Sequence, residues 1–220
     1  MDIDVQGLVS RIYDTGSGDW EPLLEDIKQF LGGSAIALIL HDFGHNLGSI
    51  LFARGYNRKY TLSAASTDAR QNVWLARERD YRPGAIHVGE QLVSEPELTR
   101  TRFYTQWLAP QRLHHRLCAV LSREEATTVF LEIMRPREAA PFDQDDIERC
   151  RLLLPHLQRA LRTYRRMAAL EIERDVAFGA LDQLPWGVMF VDKHRKRLAT
   201  NRHAQDLLVA GDGLTARGNT

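Results

Sequence analysis

From Phe142 to Leu184 the chain sets apolar residues at three- and four-residue steps: Ile147, Cys150, Leu154, Leu157, Leu161, Tyr164 and Ala168. Such a stripe, held for about three heptads, is the signature of one helix face. Arg149, Arg151, Arg159, Arg162, Arg165 and Arg166 fall mostly off it. Asp143 stands where an N-cap belongs, and Asp145 and Asp146 put negative charge on the first turn, where the helix dipole favours it. Phe142 and Ile147 occupy the two positions of a hydrophobic staple. The spacing predicts a helix over 143–184, on the order of 55 Å long at about 1.5 Å per residue. Pro155 lacks a backbone donor and crowds the preceding turn, so a kink or break is expected there. Beyond Ala168 the stripe drifts toward Ile172, Val176 and Leu181, as a straight helix requires. Two uses fit the stripe. It is either the seam along which two copies zip together, which makes the helix a dimerising connector, or the inner face of ordinary helices, one of them capping a sheet.

Upstream, the pattern changes period several times. A short helix is expected over Asp4–Tyr13. A second follows Asp19, with Trp20, Leu23, Leu24, Ile27, Phe30 and Leu31 on one face and Gly32-Gly33 as its stop. Ser34–His41 and Gly48–Arg54 read as a strand hairpin around turn residues. The polar stretch 56–81 is expected to hold one or two helices. A strand is expected within 85–93. Ser94-Glu95-Pro96-Glu97 then matches a capping box, opening a helix that carries Leu98, Phe103, Tyr104, Trp107 and Leu108 and ends before Pro110. His115–Arg123 and Thr127–Met134 alternate as two more strands. Short helices between strands, with a helix at each end, predict an α+β fold around one mainly antiparallel sheet. After the long helix, Trp186–Asp192 and the RLAT segment read as strands, followed by a helix capped by Asn201. The expected divisions are therefore 1–142, 143–184 and 185–220, the last too short for a core of its own.

Composition narrows the classes of partner. The 220 residues are 44% hydrophobic and 26% charged, with a formal net charge of zero. Nothing global favours nucleic acid or an anionic membrane. The first residues show neither the basic nor the apolar segment of a signal peptide. The longest uncharged apolar run, residues 30–40, is 11 residues and too short to span a bilayer. Cys118 and Cys150 have no paired spacing, so a reduced, cytoplasmic setting is expected.

Three stretches together carry a likeness: NVWLARERDYRPGAIHVGEQLVSEPELTRTRFYTQWLAPQRLHHRLCAVL, FDQDDIERCRLLLPHLQRALR and GALDQLPWGVMFVDKHRKRLATNRHAQDLL. In order and spacing they resemble the N-terminal sensory half of LuxR-type helix-turn-helix regulators that pair a GAF-like domain with a PAS-like one. The resemblance implies a GAF/PAS-like five- or six-stranded sheet flanked by helices, then the start of a PAS-like domain over 185–220. It implies a ligand-sensing and dimerising role that feeds transcription. DNA would be reached only through a C-terminal domain that this chain does not carry, as in a truncated or degenerate form. It does not imply an acyl-homoserine lactone as ligand, because the aromatic–Asp pattern of those pockets is not evident.

Candidate chemistry is sparse. Trp74, Tyr81, Phe103, Tyr104 and Trp107 lie between strands, where a GAF-like fold builds its pocket. Aromatics with a polar handle suit a small-molecule site, although plain packing of sheet against helices would use the same residues. His115 and Cys118 join this candidate pocket. His114-His115 with Cys118 could ligate a metal or haem, but neighbours on a strand point to opposite faces, so at most one histidine should face inward. His41 and His45 flank Gly44 in a turn, which defeats helical zinc spacing. No metal and no cofactor is expected. Cys118 sits among apolar residues, where a thiol is a poor nucleophile. Cys150 falls on the helix stripe. GSG at 16–18 is a lone Gly-rich turn, and no Ser-His-Asp set can be proposed. The leading expectation is a non-enzymatic, homodimeric sensor of an unidentified small molecule, with Ile147, Cys150, Leu154, Leu157, Leu161, Tyr164 and Ala168 at the dimer interface. The rivals are a ligand-free dimerisation module and a cysteine redox sensor or enzyme on a GAF-type fold.

Overall fold

Period-two alternation decides the centre of the fold. The computed structural model describes residues 4–15, 18–63, 71–78 and 80–211. In it, β1 (Ala35–Asp42), β2 (Leu47–Arg54), β3 (Ile86–Val88), β4 (His115–Glu124) and β5 (Thr127–Arg135) form one antiparallel sheet in the order β2-β1-β5-β4-β3. The three inner strands, β1, β5 and β4, are buried on both faces for most of their length. The Gly-rich turn at 16–18 falls largely outside the described residues. So do positions 64–70 of the polar stretch and the tail from 212.

One face of the sheet presents Ile36, Leu38, Leu117, Ala119, Leu121, Val129, Leu131 and Ile133. Helices α1 (Val5–Asp14) and α2 (Trp20–Phe30) cover it with Leu8, Ile12, Trp20, Leu23, Leu24 and Ile27. The opposite face carries Ala35, Cys118, Val120, Phe130 and Met134. It is covered by short pieces: α3 (Arg58–Ser63), α4 (Leu75–Glu78), α5 (Gly89–Leu92), α6 (Glu95–Thr99), a π-helical turn at Tyr104–Leu108 and a 3-10 turn at Ala109–Gln111. Gly55, at the exit of β2, has φ +79°, and a Cβ there would collide with the Ser34 carbonyl. Only glycine makes that turn.

Several local expectations are corrected. The strand expected over 85–93 ends at Val88, where the backbone turns into α5. The Ser94 side chain makes no cap hydrogen bond, nor does Asp19. The helix expected to reach Pro110 stops at Thr99, restarts as the π-helical turn, and passes Pro110 in the 3-10 turn. A proline in the first positions of a short turn gives up no hydrogen bond.

Helix α7 runs from Gln144 to Leu181, 38 residues, and stays helical through Pro155 without the expected break. Its start is the predicted one. The Asp146 N–H donates to Asp143 Oδ1 at 3.0 Å, and the Asp143 N–H donates back to Asp146 Oδ2 at 3.2 Å. This reciprocal cap satisfies two donors that the helix leaves orphaned. Arg135 ties the same turn to α2: it grips both Asp146 oxygens, at 2.8 and 3.0 Å, and donates to the carbonyls of Leu31 and Gly32.

The stripe on α7 does not have the role of a free seam. Ile147, Cys150, Leu154, Leu157 and Leu161 are buried in the core of their own chain, with Leu153 beside them. Tyr164 packs edge-on against Trp20 and Phe52, at centroid distances of 6.0 Å each. A second copy cannot use these five side chains as its interface while the sheet already covers them. A dimer contact at 147–161, as expected from the stripe, would have to displace this intrachain packing. The exposed apolar residues of α7 are Leu152, Met167, Leu170, Ile172 and Val176.

The chain packs as two units, divided at Tyr164/Arg165 inside α7. In the second unit, β6 (Met189–Val191) and β7 (Arg197–Thr200) pair antiparallel, and α8 (Arg202–Ala210) follows. Asn201 organises it. Its Oδ1 accepts from the N–H groups of Ala204 and Val188, and its Nδ2 donates to the carbonyls of Leu181 and Trp186. Among the described residues of this unit only Asn201 and Ala204 are buried, while Trp186, Phe190, Val191, Leu198 and Leu207 are exposed.

Candidate functional site

A charged row crosses the middle of the face under the short helices. Ala37, Glu132, Cys118 and His87 are aligned in register across β1, β5, β4 and β3. Arg116, two residues before Cys118, shares their face. Glu78 meets them from α4. Arg116, Glu132 and Glu78 are 1%, 3% and 0% exposed. A charge so deeply buried persists only with partners, and all three have them. Arg116 Nε donates to Glu132 Oε2 at 2.5 Å, Nη1 to Glu78 Oε1, and Nη2 to Glu78 Oε2 at 3.3 Å. Tyr56 Oη donates to Glu132 Oε1 at 2.9 Å. The guanidinium lies over the Trp74 ring, 4.9 Å from its centroid, a cation–π contact strengthened by desolvation.

This packing sets the ionisation of the group. Burial pushes the Glu78 carboxyl up, but the Arg116 guanidinium and the His87 hydrogen bond outweigh it and bring it down to about 2. The His87 Nε2–H therefore donates to an ionised Glu78 Oε1, at 2.5 Å. Burial pushes the Tyr56 hydroxyl and the Cys118 thiol far up, and holds His41 below its ordinary range.

Beside the row is a cavity of about 50 Å³, lined by Ile39, His41, Ile50, Leu75, Phe103, Trp107, Phe130, Arg116 and Glu132 among others. That is room for a few water-sized groups, at roughly 10–15 Å³ each. His41 is 1% exposed, and neither ring nitrogen has a hydrogen-bond partner. The Trp107 indole N–H is also buried without an acceptor. Native proteins rarely leave such groups unpaired.

The expected pocket residues separate. Phe103 and Trp107 line the cavity and stack at 5.4 Å. Trp74 meets Phe103 edge-on at 5.6 Å, and Tyr104 packs on the same cluster. Tyr81 sits on the neighbouring cluster with Cys118, tilted over the His87 ring at 4.7 Å. His115 is removed from the cavity and bonds Glu90 at 2.5 Å. Both His114 and His115 are buried, against the expectation that only one could be. His114 precedes the strand, where alternation does not govern it, and contacts Tyr104 Oη at 3.1 Å.

Sequence reasoning missed His41, Arg116, Glu132, Glu78 and His87. A signal for two of them was present: Glu132 interrupts the apolar run VFLEIM, and Arg116 interrupts HRLCAVL. A charge in the middle of a doubly buried strand marks a site.

Burial also silences the two thiols. The Cys150 thiol is pushed up to about 12, from an ordinary value of 9.0, and burial pushes the Cys118 thiol well up too. At pH 8 the thiolate fraction of Cys150 is lower by roughly a thousandfold. Native protein is expected to resist iodoacetamide under conditions that alkylate the urea-unfolded chain within minutes. Mass spectrometry of the alkylated peptides checks this, and rapid native labelling of Cys118 would restore the redox alternative.

No protein-family model matches the chain, and no curated protein matches it. Solved structures do. The VqsR LBD domain from Pseudomonas aeruginosa aligns with a TM-score of 0.58 and 13% identity, over 73% of this chain and 96% of that one. The N-acylhomoserine lactone dependent LuxR family transcriptional factor CepR2 from Burkholderia cenocepacia aligns at 0.55 and 16%, over 74% and 98%. The GAF domain of a phosphoenolpyruvate-protein phosphotransferase from Coxiella burnetii aligns at 0.53 and 15%, over 75% and 96%. At these identities the likeness shows the fold: an α+β, GAF-like domain with a five-stranded antiparallel sheet and a long helix. Among the described residues no helix is long and apolar enough to cross a membrane.

Proposed function

We propose that residues 4–164 form the small-molecule sensor domain of a bacterial-type transcriptional regulator, with no catalytic activity of their own. One observation carries the sensing role: buried His41, with both nitrogens unpaired, lines a cavity whose wall also holds Arg116 and Glu132. A ligand that hydrogen-bonds the imidazole removes the penalty of leaving it unpaired, on the order of 1–3 kcal/mol per group. The volume selects a compact polar ligand of a few heavy atoms. It does not suit a long-chain lactone, since drug-sized ligands occupy pockets of about 300 Å³ and more.

The transcriptional readout rests on similarity to the VqsR LBD domain and to the LuxR family transcriptional factor CepR2. Signal transfer requires a ligand that binds two arrangements of α7 with different affinity. Self-association through α7, if it accompanies sensing, falls on Met167, Leu170, Ile172 and Val176, which are exposed, rather than on 147–161.

The test is a thermal-shift screen with small amides, carboxylates and amines, coupled to native mass spectrometry of freshly purified protein. A hit is expected to raise the melting temperature of the wild type and leave His41→Phe unmoved, because phenylalanine fills the cavity and removes both nitrogens. No carried ligand, no hit, and a more stable His41→Phe protein would instead mark a ligand-free structural module.

A further inference from the structure

Three metal-type donors converge behind the cavity. Glu78, His87 and Cys118 are buried, and one ligand atom from each lies within 4.8 Å of the other two. We infer that Glu78, His87 and Cys118 form a binding site for a borderline-soft divalent transition metal such as Zn²⁺. The inference is independent of the small-molecule reading, since none of the three residues lines the cavity.

The donor set selects the class of ion. A thiolate with an imidazole suits zinc, cobalt or iron, whereas magnesium and calcium demand oxygen ligands. Zinc bonds of about 2.0–2.3 Å place tetrahedral donors roughly 3.3–3.8 Å apart. The His87 Nε2–Glu78 Oε1 pair, now 2.5 Å apart, would open by about 1 Å, and the wider separations, none above 4.8 Å, would close by about the same amount. His87 and Cys118 are already fixed opposite each other by the β3–β4 register.

The ion would take the place of the proton that His87 Nε2 now shares with Glu78. The charge balance supports the site. Without a metal, two buried carboxylates, Glu78 and Glu132, face one guanidinium, and the His87 hydrogen bond compensates the second. With a divalent ion, Glu78 and a Cys118 thiolate neutralise the metal, while Arg116 and Glu132 neutralise each other. Arg116 keeps its hold on the second oxygen of Glu78, the outer-shell contact that orients ligating carboxylates.

Cobalt(II) titration of the full chain, purified through a chelator, tests the site. The expected result is one bound ion with a thiolate-to-cobalt charge-transfer band. Cys118→Ser is expected to lose the band and bind at least tenfold more weakly at unchanged circular dichroism. Cys150→Ser, which removes the other thiol, should keep both. No band in folded wild type, or a band that survives Cys118→Ser and disappears in Cys150→Ser, overturns the assignment. Should Cys118→Ser fail to fold, the wild type alone decides: Zn²⁺ is expected to raise its melting temperature and Mg²⁺ to leave it unchanged. Equal responses to the two ions, or none, reject the site. A failed cobalt titration leaves the His41 screen unaffected, so the two readings fall separately.

Discussion

Arg116→Met is expected to destabilise the sheet-bearing unit by about 3–5 kcal/mol, the usual consequence of removing one partner from a buried ion group. In a chain of this size that lowers the melting temperature by roughly 6–20 °C, at about 2–4 °C per kcal/mol. The loss is not that of a favourable contact alone. Glu78 and Glu132, at 0% and 3% exposed, would be left facing each other without a cation. The triple variant Arg116→Met, Glu78→Leu, Glu132→Leu should recover much of the stability, because apolar isosteres need no partner. Differential scanning calorimetry on both proteins is the check, and a single variant melting within 2 °C of wild type would show that the network is not what holds this face.

The same network fixes an acid limit. Glu78 is held at about 2, below its ordinary 4.5. Its folded-state value is depressed, so its contribution is present above pH 4.5 and lost as the pH falls toward 2. Wild type is expected to lose stability across that window. In the triple variant this component is absent and the slope is shallower.

Leu157→Ala is expected to cost about 2–5 kcal/mol, the range for emptying a core leucine site. The signature matters as much as the size. Leu157 is buried within its own chain, so the melting temperature of wild type and variant should not change over a hundredfold range of protein concentration. Were residues 147–161 a seam between two copies, melting would follow concentration by mass action. Leu170→Ala, at an exposed position of the same helix, should stay within about 0.5 kcal/mol. A strong concentration dependence that Leu157→Ala abolishes would reverse the assignment of the stripe.

The stripe also shows why one part of the fold was legible and another was not. Helix spacing from Ile147 to Leu161 is a property of 3.6 residues per turn, and the helix formed where the spacing put it, with the Asp143–Asp146 cap. What covers the stripe is not encoded in its period. A sheet face of leucine, isoleucine and valine is as apolar as a second helix. Arg135 bridging Asp146 to the end of α2 brings the first turn onto the sheet, and that contact spans more than a hundred residues of sequence. Pro155 is similar: its missing donor argued for a break, but packing of Leu153, Leu154 and Leu157 on the sheet keeps the backbone helical across it.

The site divides along the same line. Phe103 and Trp107, which line the cavity, could be singled out in the sequence because aromatics between strands are visible one residue at a time. His41 was set aside as half of a failed zinc spacing with His45, and Glu78 and His87 had no local pattern at all. Local rules of alternation, helical period and turn chemistry settled the five strands, the long helix and the α+β class from the residues alone. The strand register, the covering of each face and the meeting of Glu78, His87, Arg116, Cys118 and Glu132 belong to the tertiary structure. The reason is physical: backbone geometry repeats over a few residues, whereas a buried charge is stabilised only by whatever distant partner the folded chain places beside it.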